Sequence, residues 1–304
     1  MAEMLNVKKI LPCRKKVVIL SPENTIENKH INEMNRVVVG FDFSSGSAYA
    51  VDLAINIANR WQSDIRLVYV KEKKEDEGPI RAEIERRNEG VAHLLDGIKL
   101  EYVIREGNPA EQLTAQAKED NAALLVVGTH GMSGIKRNML GANSYRTIEI
   151  SPVPVLIVRE DFNFNKALER IVVPLDSSDD TRQKAAEAAT FARTFGSTIH
   201  LLGLYTSTFP DIRRVVNNYV KMVERYLDDQ DIKYETKYLE VEKNVTSTTL
   251  EYANEVNADL IAIMTEQEKS FSSLFLGTYA QQMINESTIP VLTVRPRSVL
   301  ADRD

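Results

Sequence analysis

A chain of 304 residues suits about two domains, each large enough to bury a core without metal or disulfide staples. Its composition, 43% hydrophobic and 27% charged, excludes disordered, collagen-like and cysteine-rich scaffolds. A formal charge of −6 argues against a general nucleic-acid binder, which needs a basic surface against phosphate.

Residues 1–34 read as an N-terminal extension in which KKVVIL (15–20) is either an extra strand or part of a loose tail. No apolar h-region follows its basic residues and no run nears the roughly 18 residues of a membrane span, so neither a secretory signal nor a membrane contact is expected. The single cysteine, Cys13, fits a reducing compartment, and a cytoplasmic protein is expected. Residues 37–41 are β-branched and end at Asp and Ser, the pattern of a buried strand entering a loop. Ser44, Ser45 or Ser47 then caps a helix with Ala48, Val51, Ala54, Ile55 and Ala58 at helical spacing. A second strand spans 65–70, a charged loop 71–78, and a helix carries Ile80, Ile84, Val91, Leu94 and Leu95. A third strand follows at 98–104, a helix at 109–119, a strand at 123–128, a helix near 139–149 and a strand at 153–158. Trp61, closing the first helix, is expected in the core.

The rest of the chain repeats this order. RVVVGFDFSS (36–45) lies over RIVVPLDSSD (170–179) at an offset of 134, and NAALLVV (121–127) over NADLIAI (257–263) at 136. One register held across separated segments is a tandem duplication with a two-residue insertion in a loop. The predicted division is 1–34, a first domain 35–160, a linker 161–169, a second domain 170–296 and a tail 297–304. Apolar strands alternating with helices indicate α/β architecture: two doubly wound domains, each with a parallel sheet covered on both faces.

Ligands of such sheets bind beyond the strands' carboxyl ends, where strand order reverses. In the first copy those positions are Asp42, Val70, Gly107 and the loop from Gly128. That loop, GTHGMSGIKRNMLGANS, ends on Gly141, Ala142, Asn143 and Ser144 at a helix start, where unpaired N–H groups suit phosphate. Without a ligand, the same loop is simply a tight turn. The chain holds no Walker A motif and no G-x-G-x-x-G fingerprint. His130, Ser133 and Asp42 invite a Ser-His-Asp reading, but no G-x-S-x-G elbow is present, so no catalytic residue is assigned. The histidines show no metal-ligand spacing.

V-V-V-G-F-D-F-S, the G-x-x-G-x9-G loop at 128, 131 and 141, and the closing P-V-P-V-L-I-V-R together resemble the universal stress protein family in its tandem form. The resemblance runs from about 36 to 296. It implies a Rossmann-like domain, akin to the adenine-nucleotide hydrolase group, with five parallel strands that binds ATP. Carried over, Asp42 and the Val70 backbone would hold the nucleoside, Gly128 would lie near the ribose, and Gly131, Gly141 and the following amides would hold phosphates. His130 would touch ligand or solvent, and Mg²⁺ would enter only with the phosphates. The family has Ser or Thr after the last glycine; here it is Ala142, so a hydroxyl contact falls to Asn143 or Ser144. In the second copy Met264 replaces Gly128 and Gln267 replaces Gly131, with Glu266 and Glu268 beside them. Nucleotide is therefore expected in the first domain only. The family's last strand is a dimerisation element, so the copies are expected to pair through it as an internal pseudo-dimer; a homodimer of the whole chain stays open. The expected function is an adenine-nucleotide-binding stress-response regulator or sensor. An adenylyl-activating enzyme or slow ATPase is one alternative, and a nucleotide-free scaffold or small-ligand carrier is another.

Overall fold

The computed structural model describes residues 36–129, 141–159, 168–178, 180–265 and 277–296. The expectations for residues 1–34, for 297–304 and for all of 161–169 except Leu168 and Glu169 lie outside these.

The first repeat runs β1 (Arg36–Gly40), α1 (Ser45–Trp61), β2 (Asp64–Lys71), α2 (Glu77–Val91), β3 (Leu100–Glu106), α3 (Pro109–Glu119), β4 (Leu124–Gly128), α4 (Ala142–Ile150) and β5 (Val155–Val158). The second runs β6 (Arg170–Leu175), α5 (Lys184–Phe195), β7 (Thr198–Tyr205), α6 (Pro210–Asp229), β8 (Tyr234–Glu240), α7 (Val245–Glu255), β9 (Leu260–Met264), α8 (Thr278–Glu286) and β10 (Val291–Val294). None of the described helices is long and apolar enough to cross a membrane.

All ten strands form one sheet in the order β3-β2-β1-β4-β5-β10-β9-β6-β7-β8. Within each repeat every pairing is parallel, as the unbroken apolar runs of β1 and β4 require for strands buried on both faces. The repeats meet at β5 and β10, which run antiparallel with Val291 opposite Ile157. The outer edges are β3 and β8, LEYVIRE and YETKYLE, whose charged side chains discourage further strand addition.

Each face of the sheet buries a core that runs through both repeats. One holds Ile57, Val126, Phe191, Leu201 and Val220 under α1, α2, α5 and α6. The other holds Leu113, Ile148, Tyr252, Ile263 and Met283 under α3, α4, α7 and α8. Trp61 is half-buried at the rim of the first core rather than inside it. Its indole N–H donates to Thr194 Oγ1 (3.0 Å) and its ring meets Phe191 edge-on at 5.2 Å, which ties α1 to α5 across the repeats.

Several boundaries move for local reasons. β3 begins two residues later than 98, after Gly97 turns the chain with φ of 76°. α2 stops at Val91 and a 3-10 turn follows, leaving Leu94 44% exposed instead of on an apolar helix face. α4 begins at Ala142 because Gly141 is its N-cap. The two-residue insertion lies after the third strand, where Gly107–Asn108 in the first repeat corresponds to 241–244 in the second. Gly107 has φ of 130°, a conformation that a side chain there would strain.

Candidate functional site

Strand order reverses between β1 and β4, and the first repeat's candidate site is built on their carboxyl ends. β1 delivers Asp42, whose Oδ1 accepts from the Ser44 amide (3.1 Å) and hydroxyl (2.6 Å), closing a turn of two residues. Ser44 in turn caps α1 by accepting from the Ser47 amide at 3.1 Å, and Ser47 Oγ accepts from the Asp42 amide at 3.3 Å. Between them Phe43 takes φ of 64° and packs against Phe41 and Tyr69 at 5.1 and 5.0 Å. Val70, next to last in β2, is half-buried and lies opposite Arg105 of β3.

Gly128 has a packing reason for being glycine, beyond the ligand approach that the sequence suggests. A Cβ there would stand 2.5 Å from the Gly46 carbonyl carbon. The end of β4 and the start of α1 are in backbone contact, which draws the α1 N-terminus over the site. From Gly128 the chain reaches the buried Thr129, whose carbonyl accepts from the Gly141 amide at 3.2 Å. Among the described residues no side chain caps α4 at Gly141, and Gly141, Ala142 and Asn143 are exposed. A helix end with uncapped, exposed amides retains the donors and partial positive charge that suit an anion. Ser144 does not add a free hydroxyl donor, because its Oγ donates to the Gly128 carbonyl at 3.2 Å. The side chain left for that contact is Asn143. His130 and Gly131 lie outside the described residues. The structure thus brings together Asp42, Gly128, Gly141, Ala142, Asn143 and Ser144, with Val70 one strand away.

The second repeat keeps the frame of this site and carries larger side chains at its aligned positions. Asp176 Oδ1 accepts from the Ser178 amide (2.9 Å) and hydroxyl (2.5 Å), as Asp42 does from Ser44. Gly277 starts α8 uncapped and donates to the Thr265 carbonyl at 3.1 Å. Met264 stands where Gly128 does, so the α1-type backbone approach is barred. The helix begins at Lys184, in register with Ala50, five residues later than its counterpart. Lys184 is 1% exposed and its ammonium donates to Thr181 Oγ1 at 3.1 Å. Burial lowers its pKa to about 8, with the Asp176 carboxylate offsetting part of the shift. Tyr279, in register with Asn143, has its hydroxyl sealed from solvent, and that burial raises its pKa. Lys184 escaped the sequence reading, although the 134-residue register already set a charged residue on an apolar helix position.

A profile of the universal stress protein family matches residues 33–159 and again 167–295. The universal stress protein YxiE of Bacillus subtilis is 33% identical over 150 residues, 41% of this chain and 99% of its own length. A universal stress protein of Mycolicibacterium smegmatis is 22% identical over 287 residues, covering 86% of this chain and 97% of its own. The crystal structure of a universal stress protein from Archaeoglobus fulgidus shares the fold with a TM-score of 0.66 at 19% identity, over 86% of this chain and 97% of that one.

Proposed function

Since this chain belongs to the universal stress protein family, we propose that it is a stress-response regulator that binds an adenine nucleotide, ATP, in its first repeat alone. The observation that carries this reading is the uncapped, exposed start of α4 beside the carboxyl ends of β1 and β4. In the proposed complex Asp42 and the Val70 backbone hold the nucleoside and Gly128 lies near the ribose. Gly131, Gly141 and the amides of Ala142, Asn143 and Ser144 receive the phosphates, with His130 on the same loop. Mg²⁺ enters only with those phosphates. None of these residues is assigned a catalytic part.

Restriction to the first repeat follows from the side chains of the second. Met264 replaces Gly128, the buried Lys184 replaces Ala50, and Tyr279, its hydroxyl sealed from solvent, replaces Asn143, each a larger side chain at the aligned position. The domains, taken as 35–160 and 170–296, then divide the work: the first holds ligand, and the second completes the sheet as the other half of an internal pseudo-dimer.

Isothermal titration with ATP tests this. Among the described residues a Cβ at Gly141 meets only the Thr129 carbonyl, at 4.0 Å, so Gly141→Val is expected to fold while covering the helix amides. We expect one nucleotide per chain and at least tenfold weaker binding in the variant. No heat with the native protein, or equal affinity in the variant, refutes nucleotide binding at this site. Two nucleotides per chain refutes restriction to the first repeat.

A further inference from the structure

The opposite ends of the strands carry a second difference between the repeats. At the amino ends of the first repeat's strands two arginines and two carboxylates interlock. Arg36 reaches Glu101 (3.3 Å) and Asp120 (3.2 Å), and Arg66 reaches the same two at 3.1 and 3.3 Å. Asp120 also accepts from Gln116 at 2.9 Å. The cluster is mostly covered, with the Asp120 side chain 12% exposed.

In the second repeat the same five positions are Arg170, Glu235, His200, Val256 and Tyr252. The strand register is unchanged, since His200 lies opposite Glu235 as Arg66 lies opposite Glu101. One cation and one anion of the network are therefore gone: a guanidinium is shortened to an imidazole and a carboxylate becomes an isopropyl group. Where the first repeat holds its ion-pair network, the second has an open cavity of about 600 Å³, lined by Arg170, His200, Glu235 and Val256 among others. This lies within the usual range for a small-ligand pocket. His200 is 5% exposed, and its Nδ1 lies 3.4 Å from the Tyr252 hydroxyl and 3.7 Å from Glu235. Burial lowers its pKa despite Glu235, so the ring does not replace the charge of Arg66. Among the described residues the Arg170 guanidinium reaches Glu169 at 3.9 Å and the Asn257 carbonyl at 3.4 Å.

We propose that this cavity binds a small zwitterion, an amino- or guanidino-carboxylate, whose cation pairs with Glu235 and whose carboxylate pairs with Arg170. Such a molecule restores the charges that the second repeat has lost, in the cavity lined by the aligned positions Arg170, His200, Glu235 and Val256. A ligand with both charges makes two ion pairs in the pocket where a singly charged one makes one. The site is independent of the nucleotide reading, being formed by other residues at the other end of the strands.

The probe is 4-guanidinobutyrate, titrated by calorimetry against methylguanidine and butyrate as single-charge controls. We expect saturable binding at least tenfold tighter than either control. His200→Arg/Val256→Asp rebuilds the network of the first repeat, and is expected to retain the native melting temperature while losing tenfold or more in affinity. Glu235→Gln, at a side chain 71% exposed, changes the pocket without burdening the fold and is also expected to weaken binding tenfold. Absence of saturable binding, equal binding of a single-charge control, or unchanged affinity in Glu235→Gln overturns the proposal.

Discussion

The two repeats share a frame and differ at its working points. Both close the turn after their first strand with an Asp–Ser clip, and both start their last helix on an uncapped glycine. They part where Gly128 faces Met264 and Ala50 faces Lys184, and at the other strand ends where Arg66 and Asp120 face His200 and Val256. What survived duplication is what the backbone needs to turn. What changed includes Gly128, where the absence of a Cβ lets the start of the first helix approach the fourth strand.

The largest effect should come from Gly128→Val. Its Cβ cannot clear the Gly46 backbone, so we expect a loss of roughly 4 kcal/mol in denaturant unfolding, at the extreme of overpacking. A loss below about 1 kcal/mol would mean that α1 does not depend on this contact.

Next in size is Lys184→Met. The folded state releases the Lys184 proton near pH 8, whereas the unfolded chain keeps it to 10.5. The unfolded state therefore binds more protons between those values, and native stability rises with pH across that window. Below pH 8 the buried charge costs up to about 3 kcal/mol, which the methionine variant should regain. Urea unfolding from pH 7 to 10 should show the rise in the native protein and its loss in the variant; parallel profiles would contradict the assignment.

The smallest effect compares the two clips directly. Ser44 both joins the clip and caps α1, whereas α5 begins without a side-chain cap. Ser44→Ala should thus cost about 1 kcal/mol more than Ser178→Ala. Equal losses in thermal unfolding would show that the cap adds nothing.

Much of the architecture was legible because buried strands are short apolar runs and the duplication supplies every element twice. α3 falls on its expected span, 109–119, since Asn108 caps it and Pro109 opens it. The first helix starts where its serines suggest. The third strand was misplaced because it is a sheet edge, half-exposed throughout and without an apolar signature. At the site, Asp42 and the glycines stand out by spacing, but Ser144 bonding back to Gly128 and the packing role of Gly128 require the fold. The four-charge network is drawn from positions 36, 66, 101 and 120, which no local pattern connects.

The antiparallel meeting of β5 and β10 has a geometric outcome for anything that docks on this protein. It turns the second repeat end for end, so the carboxyl ends of β1–β5 and the amino ends of β6–β8 share one rim of the sheet. The nucleotide cleft proposed in one repeat and the zwitterion pocket proposed in the other therefore open along that same rim. From β1 to β7 there are six strand spacings of roughly 4.8 Å, or about 29 Å measured along the sheet.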